Sequence, residues 1–203
     1  MMRSIKKRKG LWLGLGMIVF LAGFGGGAWY LQQGAGSDND SPPGGEVALP
    51  STQGDFSLSQ LGEDQLAVLF FGYTYCPDVC PMTLSVVRQA LTGLDEAQRE
   101  RVVPVMVSVD PERDTLERLE EYTAYFGDGI IGATGNQQQL EDIAERYGVM
   151  WRKVETPDSA MAYTIDHSSS LYLVNNEGEI RQRVLYSPVP NALRSALESE
   201  LEG

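Results

Sequence analysis

Apolar and polar positions recur along this chain with a changing period, and the period names most of its elements. Residues 66–72, LAVLFFG, are an unbroken apolar run between turn-forming residues, which predicts a strand buried on both faces. After them Leu84, Val87, Leu91 and Leu94 fall on one helical face, with Pro81 tolerable in the first turn. Residues 102–109, VVPVMVSV, predict a second buried strand, with Pro104 near its start or at an edge. Strand, helix and strand make a parallel βαβ unit.

Further along, Asp114-Thr115-Leu116-Glu117 has the form of a capping box opening a helix, with Leu116, Leu119, Tyr122 and Phe126 as its inner stripe. Another helix is predicted after Asn136, where Leu140, Ile143, Ala144 and Tyr147 stand at i, i+3, i+4 and i+7. SLYLV at 170–174 and EIRQRVLY at 179–186 flank NNEG, which is hairpin chemistry. A last amphipathic helix is expected from about Asn191 to Leu201. The order predicts an α/β fold of thioredoxin-like layout, a mixed central sheet with helices on both faces, beginning near Phe56.

The first 50 residues have a different pattern. Residues 1–10 carry five basic side chains and no acidic one, and residues 11–31 form a stretch of 21 without charge. That length just crosses a bilayer as a helix, Trp12, Trp29 and Tyr30 lie where interfacial aromatics belong, and the basic flank keeps to the cytoplasmic side. The expectation is a basic cytoplasmic tail (1–10), a single transmembrane anchor (11–31), a flexible linker (32–50) rich in Gly, Pro, Ser and Asp, and a head (51–203) in the periplasm or another extracytoplasmic space. A cleaved leader is the alternative, with GAG at 34–36 as the cut, although a leader's apolar core is normally about 7–15 residues.

Charge changes the picture again. Beyond residue 37 there are 28 acidic and 11 basic residues, near −17 net, and Lys153 is the one lysine there. Nucleic acid is excluded as a partner, because phosphate recognition needs basic surface.

The candidate chemistry lies in FFGYTYCPDVCP, residues 70–81, which holds both cysteines of the chain. Cys76 and Cys80 are placed between a buried strand and a helix start, where thiolates are favoured and where ligands gather in open α/β sheets. A structural disulfide would close too small a loop to matter to a core of this size. A dithiol oxidoreductase usually carries two residues between its sulfurs, and here there are three. The wider spacing lets both sulfurs face one point, which suits a soft ion such as Cu(I), whereas zinc would want four ligands. The one histidine, His167, lies in a predicted loop just before the strand at 170–174 and is the candidate third donor. Asp110 and Asp166 are candidate acceptors behind the donors. A peroxidase is disfavoured, since Thr74 is two residues before Cys76 rather than three, and no orienting residue supports a Cys76–His167 nucleophile.

Together FFGYTYCPDVCP, VSVDPERDT (107–115) and DHSSSLYLVN (166–175) resemble the Sco/SenC family of copper proteins, over roughly residues 50–202. The resemblance implies a membrane-anchored, thioredoxin-like copper chaperone that helps assemble the dinuclear copper centre of cytochrome c oxidase. It implies one bound copper ion, Cu(I) or Cu(II), held by Cys76, Cys80 and His167, and a redox-active Cys76–Cys80 pair. Asp110 and Asp114 match the acidic positions of the second motif. Implied partners are the copper-binding subunit of the oxidase and another copper chaperone. The family also includes proteins that look like thiol reductases or redox sensors, so a thiol–disulfide oxidoreductase stands as the alternative function.

Overall fold

The computed structural model describes residues 42–157 and 161–202. The predicted tail and anchor lie outside them, as do residues 32–41 of the predicted linker. Among the described residues no helix is long and apolar enough to cross a membrane.

The apolar run at 66–72 forms β3 (Leu66–Gly72), and every residue of it is buried. Alternation explains why: Ala67, Leu69 and Phe71 enter one apolar cluster, while Leu66, Val68 and Phe70 enter another on the opposite face. The second predicted strand is β4 (Val102–Ser108), parallel to β3 and joined to it through α1 (Val79–Thr92) and a short α2 (Glu96–Glu100). Pro104 lies near the start of β4, one residue before its pairing with β5 (Ile131–Ala133) begins at Val105, so its missing N–H does not interrupt that ladder.

Around this centre the remaining elements complete a mixed sheet. The hairpin β1 (Ala48–Ser51) and β2 (Gly54–Ser57) joins through β5, and the predicted C-terminal hairpin is β8 (Leu171–Val174) and β9 (Ile180–Val184). The strand order is β2-β1-β5-β4-β3-β8-β9. One face is covered by α4 (Gln137–Tyr147), through Leu140, Ile143, Ala144 and Tyr147 as predicted. The other is covered by α1, α3 (Leu116–Ala124) and α5 (Asn191–Leu201), through Leu84, Val87, Leu119, Leu193 and Leu197. Burying each such leucine contributes roughly 1.5–3 kcal/mol. This is the thioredoxin-like architecture that the element order predicts.

Four details differ from the sequence expectation. Residues 42–50, expected within the linker, pack on the head: Val47 and Leu49 are buried, Tyr147 Oη donates to Gly45 O at 2.7 Å, and the Gly45 amide donates to Gly178 O at 2.7 Å. Two apolar residues spaced by two are enough for a strand edge but too few to show above a Gly- and Pro-rich background. Second, α3 is capped by Thr115, whose hydroxyl accepts from the Arg118 amide, and not by Asp114. Third, a separate two-stranded sheet, β6 (Trp151–Glu155) and β7 (Tyr163–His167), stands where only irregular chain was expected. Consequently His167 ends a strand instead of occupying a loop. Finally, β1, β2, β5 and α2 are short elements without a legible period.

Candidate metal centre

The buried strand β3 delivers its chain at the sheet's carboxyl edge, where Gly72 is the last paired residue. Thr74 is fixed there by buried Asp114, which accepts from the Thr74 amide at 2.9 Å, from Thr74 Oγ1 at 2.6 Å and from Ser108 Oγ at 2.5 Å. That is what Asp114 does in place of capping α3: it ties the ends of β3 and β4 together beneath the cysteine loop. Cys76 follows, half-buried, and its amide donates to Tyr73 O at 3.2 Å. Cys80 is the second residue of α1 and is 1 % exposed. Its amide points back at Cys76 Sγ, at 3.4 Å, so an unpaired N–H of the helix start serves the sulfur. Gly72 makes room for this packing, because a Cβ there would stand 2.7 Å from Cys80 Sγ.

The third side chain arrives from the small sheet. Trp151 pairs with His167, Lys153 with Ile165 and Glu155 with Tyr163, so Tyr163, Ile165 and His167 share one face. Ile165 is buried, and its amide donates to Tyr73 Oη at 3.2 Å. The Tyr73 ring meets the His167 ring edge-on at 5.8 Å between centroids. His167 Nε2 then lies 3.4 Å from Cys80 Sγ, and donor atoms of Cys76, Cys80 and His167 all fall within 4.8 Å of one another. Among the described residues no other group of three or more Cys, His, Asp and Glu side chains comes together in this way.

The protons follow from these contacts. His167 Nδ1 lies 3.0 Å from Ser168 O, and a carbonyl can only accept, so Nδ1 carries the hydrogen. In the neutral ring Nε2 therefore turns its lone pair toward the sulfurs. A hydrogen bond from the Cys80 thiol lowers the proton affinity of Cys76 against the opposing cost of burial; the amides of Asp78 and Cys80 add to it, and its pKa falls to about 3. Cys80 moves the other way, held protonated by its bond to the Cys76 thiolate and by burial. The metal-free pair thus carries one thiolate, outside, and one thiol, inside. The two sulfurs are soft donors and imidazole suits copper as well, and the set lacks the fourth ligand that a closed zinc site requires, so it fits copper better.

The candidate acceptors are placed elsewhere. Asp110 is buried beside the site but accepts from Arg113 Nε and Tyr163 Oη, not from His167. Asp166 falls on the opposite face of β7, where strand alternation sends it to solvent and to an ion pair with Arg152 at 2.8 Å. Sequence reasoning missed Gly72, Tyr73, Arg113 and Tyr163 as site builders. An aromatic or glycine beside a cysteine motif has no period to betray its role, although Arg113 lies in the quoted VSVDPERDT segment.

Fold and site define a class: a thioredoxin-like domain with a three-donor, soft-metal centre built where its central strand meets the first helix. Residues 37–202 match the SCO1/SenC family, and the chain belongs to it. An SCO2-like protein of Rickettsia conorii is 31 % identical over 157 residues, covering 77 % of this chain and 76 % of the relative. The mitochondrial SCO1 homolog 1 of Arabidopsis thaliana is 37 % identical over 147 residues, covering 68 % of this chain and 42 % of that longer protein. Among solved structures, Arabidopsis thaliana ScoI with copper bound is 32 % identical with a TM-score of 0.69, covering 79 % of this chain and 98 % of that one. Bradyrhizobium japonicum ScoI with copper bound is 28 % identical with a TM-score of 0.67, covering 78 % and 99 %.

Proposed function

We propose that this protein is a membrane-anchored copper carrier that delivers copper to the dinuclear centre of cytochrome c oxidase during assembly. The observation that carries the reading is the convergence of Cys76, Cys80 and His167 in a chain of the SCO1/SenC family. Support comes from relatives of the same fold that hold copper. Copper is the cargo, one ion per head. The half-exposed Cys76 and His167 leave an open side from which a partner's ligands can replace the donors one at a time. Loss of two electrons and the one thiol proton of the Cys76–Cys80 pair to a disulfide oxidant, whose own S–S bond breaks to one thiolate and one thiol, would join the sulfurs and remove two of the three donors. The uncharged stretch at 11–31, with its basic flank, supports a single anchor in the cytoplasmic membrane and a head outside the cytoplasm. The copper-binding subunit of the oxidase is the recipient in this reading, and another copper chaperone the donor.

The test is metal analysis of the reduced protein: Cys76→Ala and His167→Ala each abolish stoichiometric copper binding, and full retention by either variant ends the reading. A second reading is favoured by the low proton affinity of Cys76 beside a protonated Cys80. Such a pair can act as a thiol–disulfide oxidoreductase: Cys76 attacks a disulfide on the oxidase subunit, and Cys80 resolves the mixed disulfide, leaving the subunit's thiols reduced. It needs both cysteines and not His167. If His167→Ala supports oxidase assembly while cysteine-to-serine variants do not, the reductase reading replaces the carrier.

A further inference from the structure

The hairpin that carries His167 shares no backbone pairing with the main sheet. Side chains must therefore fix where the imidazole stands. Near Tyr163, four residues ahead of His167 and on the same face, those side chains converge on one guanidinium. Arg113 lies in the loop after β4, with its Cζ 3.6 Å from the centre of the Tyr163 ring. Its Nη1 donates to Tyr163 O at 3.1 Å, and its Nε is paired with buried Asp110 at 2.5 Å. Tyr163 Oη closes the triangle by donating to the other oxygen of Asp110 at 2.7 Å. The same guanidinium lies 4.8 Å from the Tyr75 ring and 5.8 Å from the Tyr73 ring, the two tyrosines just before Cys76. Nη2 is buried without a hydrogen-bond partner, in a guanidinium whose Cζ has three tyrosine rings within 5.8 Å. A planar cation stacked between the hairpin's ring and the rings of the cysteine loop joins two parts that the backbone leaves separate.

We propose that Arg113 is a positioning residue: with Tyr163 and Asp110 it clasps the β6–β7 hairpin to the cysteine loop and so sets His167 against the cysteine pair. The clasp rests on the reading of Cys76, Cys80 and His167 as the copper-holding set. It lets the histidine arm shift as a unit, since loosening the clasp together with the Ile165 contacts breaks no main-sheet hydrogen bond.

Two measurements on the full-length chain test it. In the reduced, metal-free protein, Arg113→Gln speeds hydrogen exchange at the Ile165 amide about tenfold or more, while the amides of Leu69 and Val105 in the main sheet keep their rates. An unchanged Ile165 amide overturns the clasp. In anaerobic competition for Cu(I) against a chelator, Arg113→Gln weakens copper retention about 10- to 100-fold when His167 is present. In a His167→Ala background, where only the residual affinity of the two sulfurs is read, against a weaker chelator, the same change has an effect within about twofold, because the arm it positions has lost its ligand. Equal losses in both backgrounds, or none in either, overturn the proposal and leave the three-donor site standing. Undiminished copper retention by His167→Ala alone overturns the three-donor site, and the proposal with it. Should Arg113→Gln fail to fold, Tyr163→Leu takes its place in both measurements, removing the ring from the hairpin side while the Asp110–Arg113 pair remains.

Discussion

The two arms of the site are built in opposite ways. The cysteine arm grows from the central strand and the first turn of α1, with Cys80 sealed at 1 % exposure and Gly72 packed against its sulfur. The histidine arm is a two-stranded hairpin held by side chains: buried Ile165, with Trp151, in the apolar cluster, the Arg113 and tyrosine contacts, the Lys153–Glu112 ion pair and one backbone-to-phenol hydrogen bond. Main-sheet strands open with the free energy of global unfolding, whereas peripheral hairpins open locally for much less. A centre made from one of each can pass from three donors to two while the fold stays intact. That property suits the proposed carrier, which must both hold an ion and give it up.

The sharpest way to break the contrast is to loosen the rigid arm. Asp114 is 1 % exposed and takes three hydrogen bonds from Thr74 and Ser108. In Asp114→Ala those three donors stay buried without their acceptor, and stability falls by about 3 kcal/mol or more. Denaturant unfolding followed by tryptophan fluorescence measures the loss, with copper retention failing in the same variant because the loop before Cys76 is no longer tied down. A loss below about 1 kcal/mol would show that the strand ends hold themselves.

The next effect is chemical and separates the two sulfurs. With its pKa lowered to about 3, chiefly by the hydrogen bond from Cys80, Cys76 is a thiolate across the neutral and mildly acidic range. An ordinary thiol loses about 100-fold in thiolate, and so in alkylation rate, between pH 7 and pH 5. Cys76 in the reduced, metal-free protein keeps its rate over that window and slows only as the pH falls toward about 3. Cys80, shifted upward, stays protonated and unmodified throughout. Iodoacetamide kinetics read by peptide mass spectrometry check both halves, and a tenfold drop per pH unit at Cys76 contradicts the arrangement.

Legibility in the sequence follows the same division. The cysteine arm is readable because long elements announce themselves: seven apolar residues in β3, a helical stripe in α1, and two cysteines between them. The α4 stripe and the β8–β9 turn are equally plain. The hairpin is not, since Trp151–Glu155 mixes charged and apolar residues and only Ile165 of the two strands is buried. A strand held by side chains on one face, with little core to bury, has no strong alternation to find. Asp114 illustrates a different failure: its spacing to Glu117 satisfies a capping rule, but three buried donors outbid the exposed helix end for the carboxylate. The role of Asp166 was misplaced for want of the strand itself, because only a known register puts it opposite His167.

The smallest expected effect concerns that same residue, and it tests the register directly. Asp166 and Arg152 face each other across the hairpin on its solvent side, with side chains 65 % and 77 % exposed, and their ion pair is screened by water and salt. Asp166→Asn therefore changes stability by no more than about 0.5 kcal/mol and leaves copper retention unchanged. Chelator competition and thermal unfolding at low and high salt are sufficient to check it. If the carboxylate instead steadied the imidazole, the substitution would weaken copper binding about 10-fold or more, as loss of a ligand's hydrogen-bond partner does. A result of that size would mean that β7 is shifted by one residue, which turns every side chain of the strand to the other face and removes His167 from the sulfurs. The register that pairs Trp151 with His167 thus carries the geometry of the whole centre.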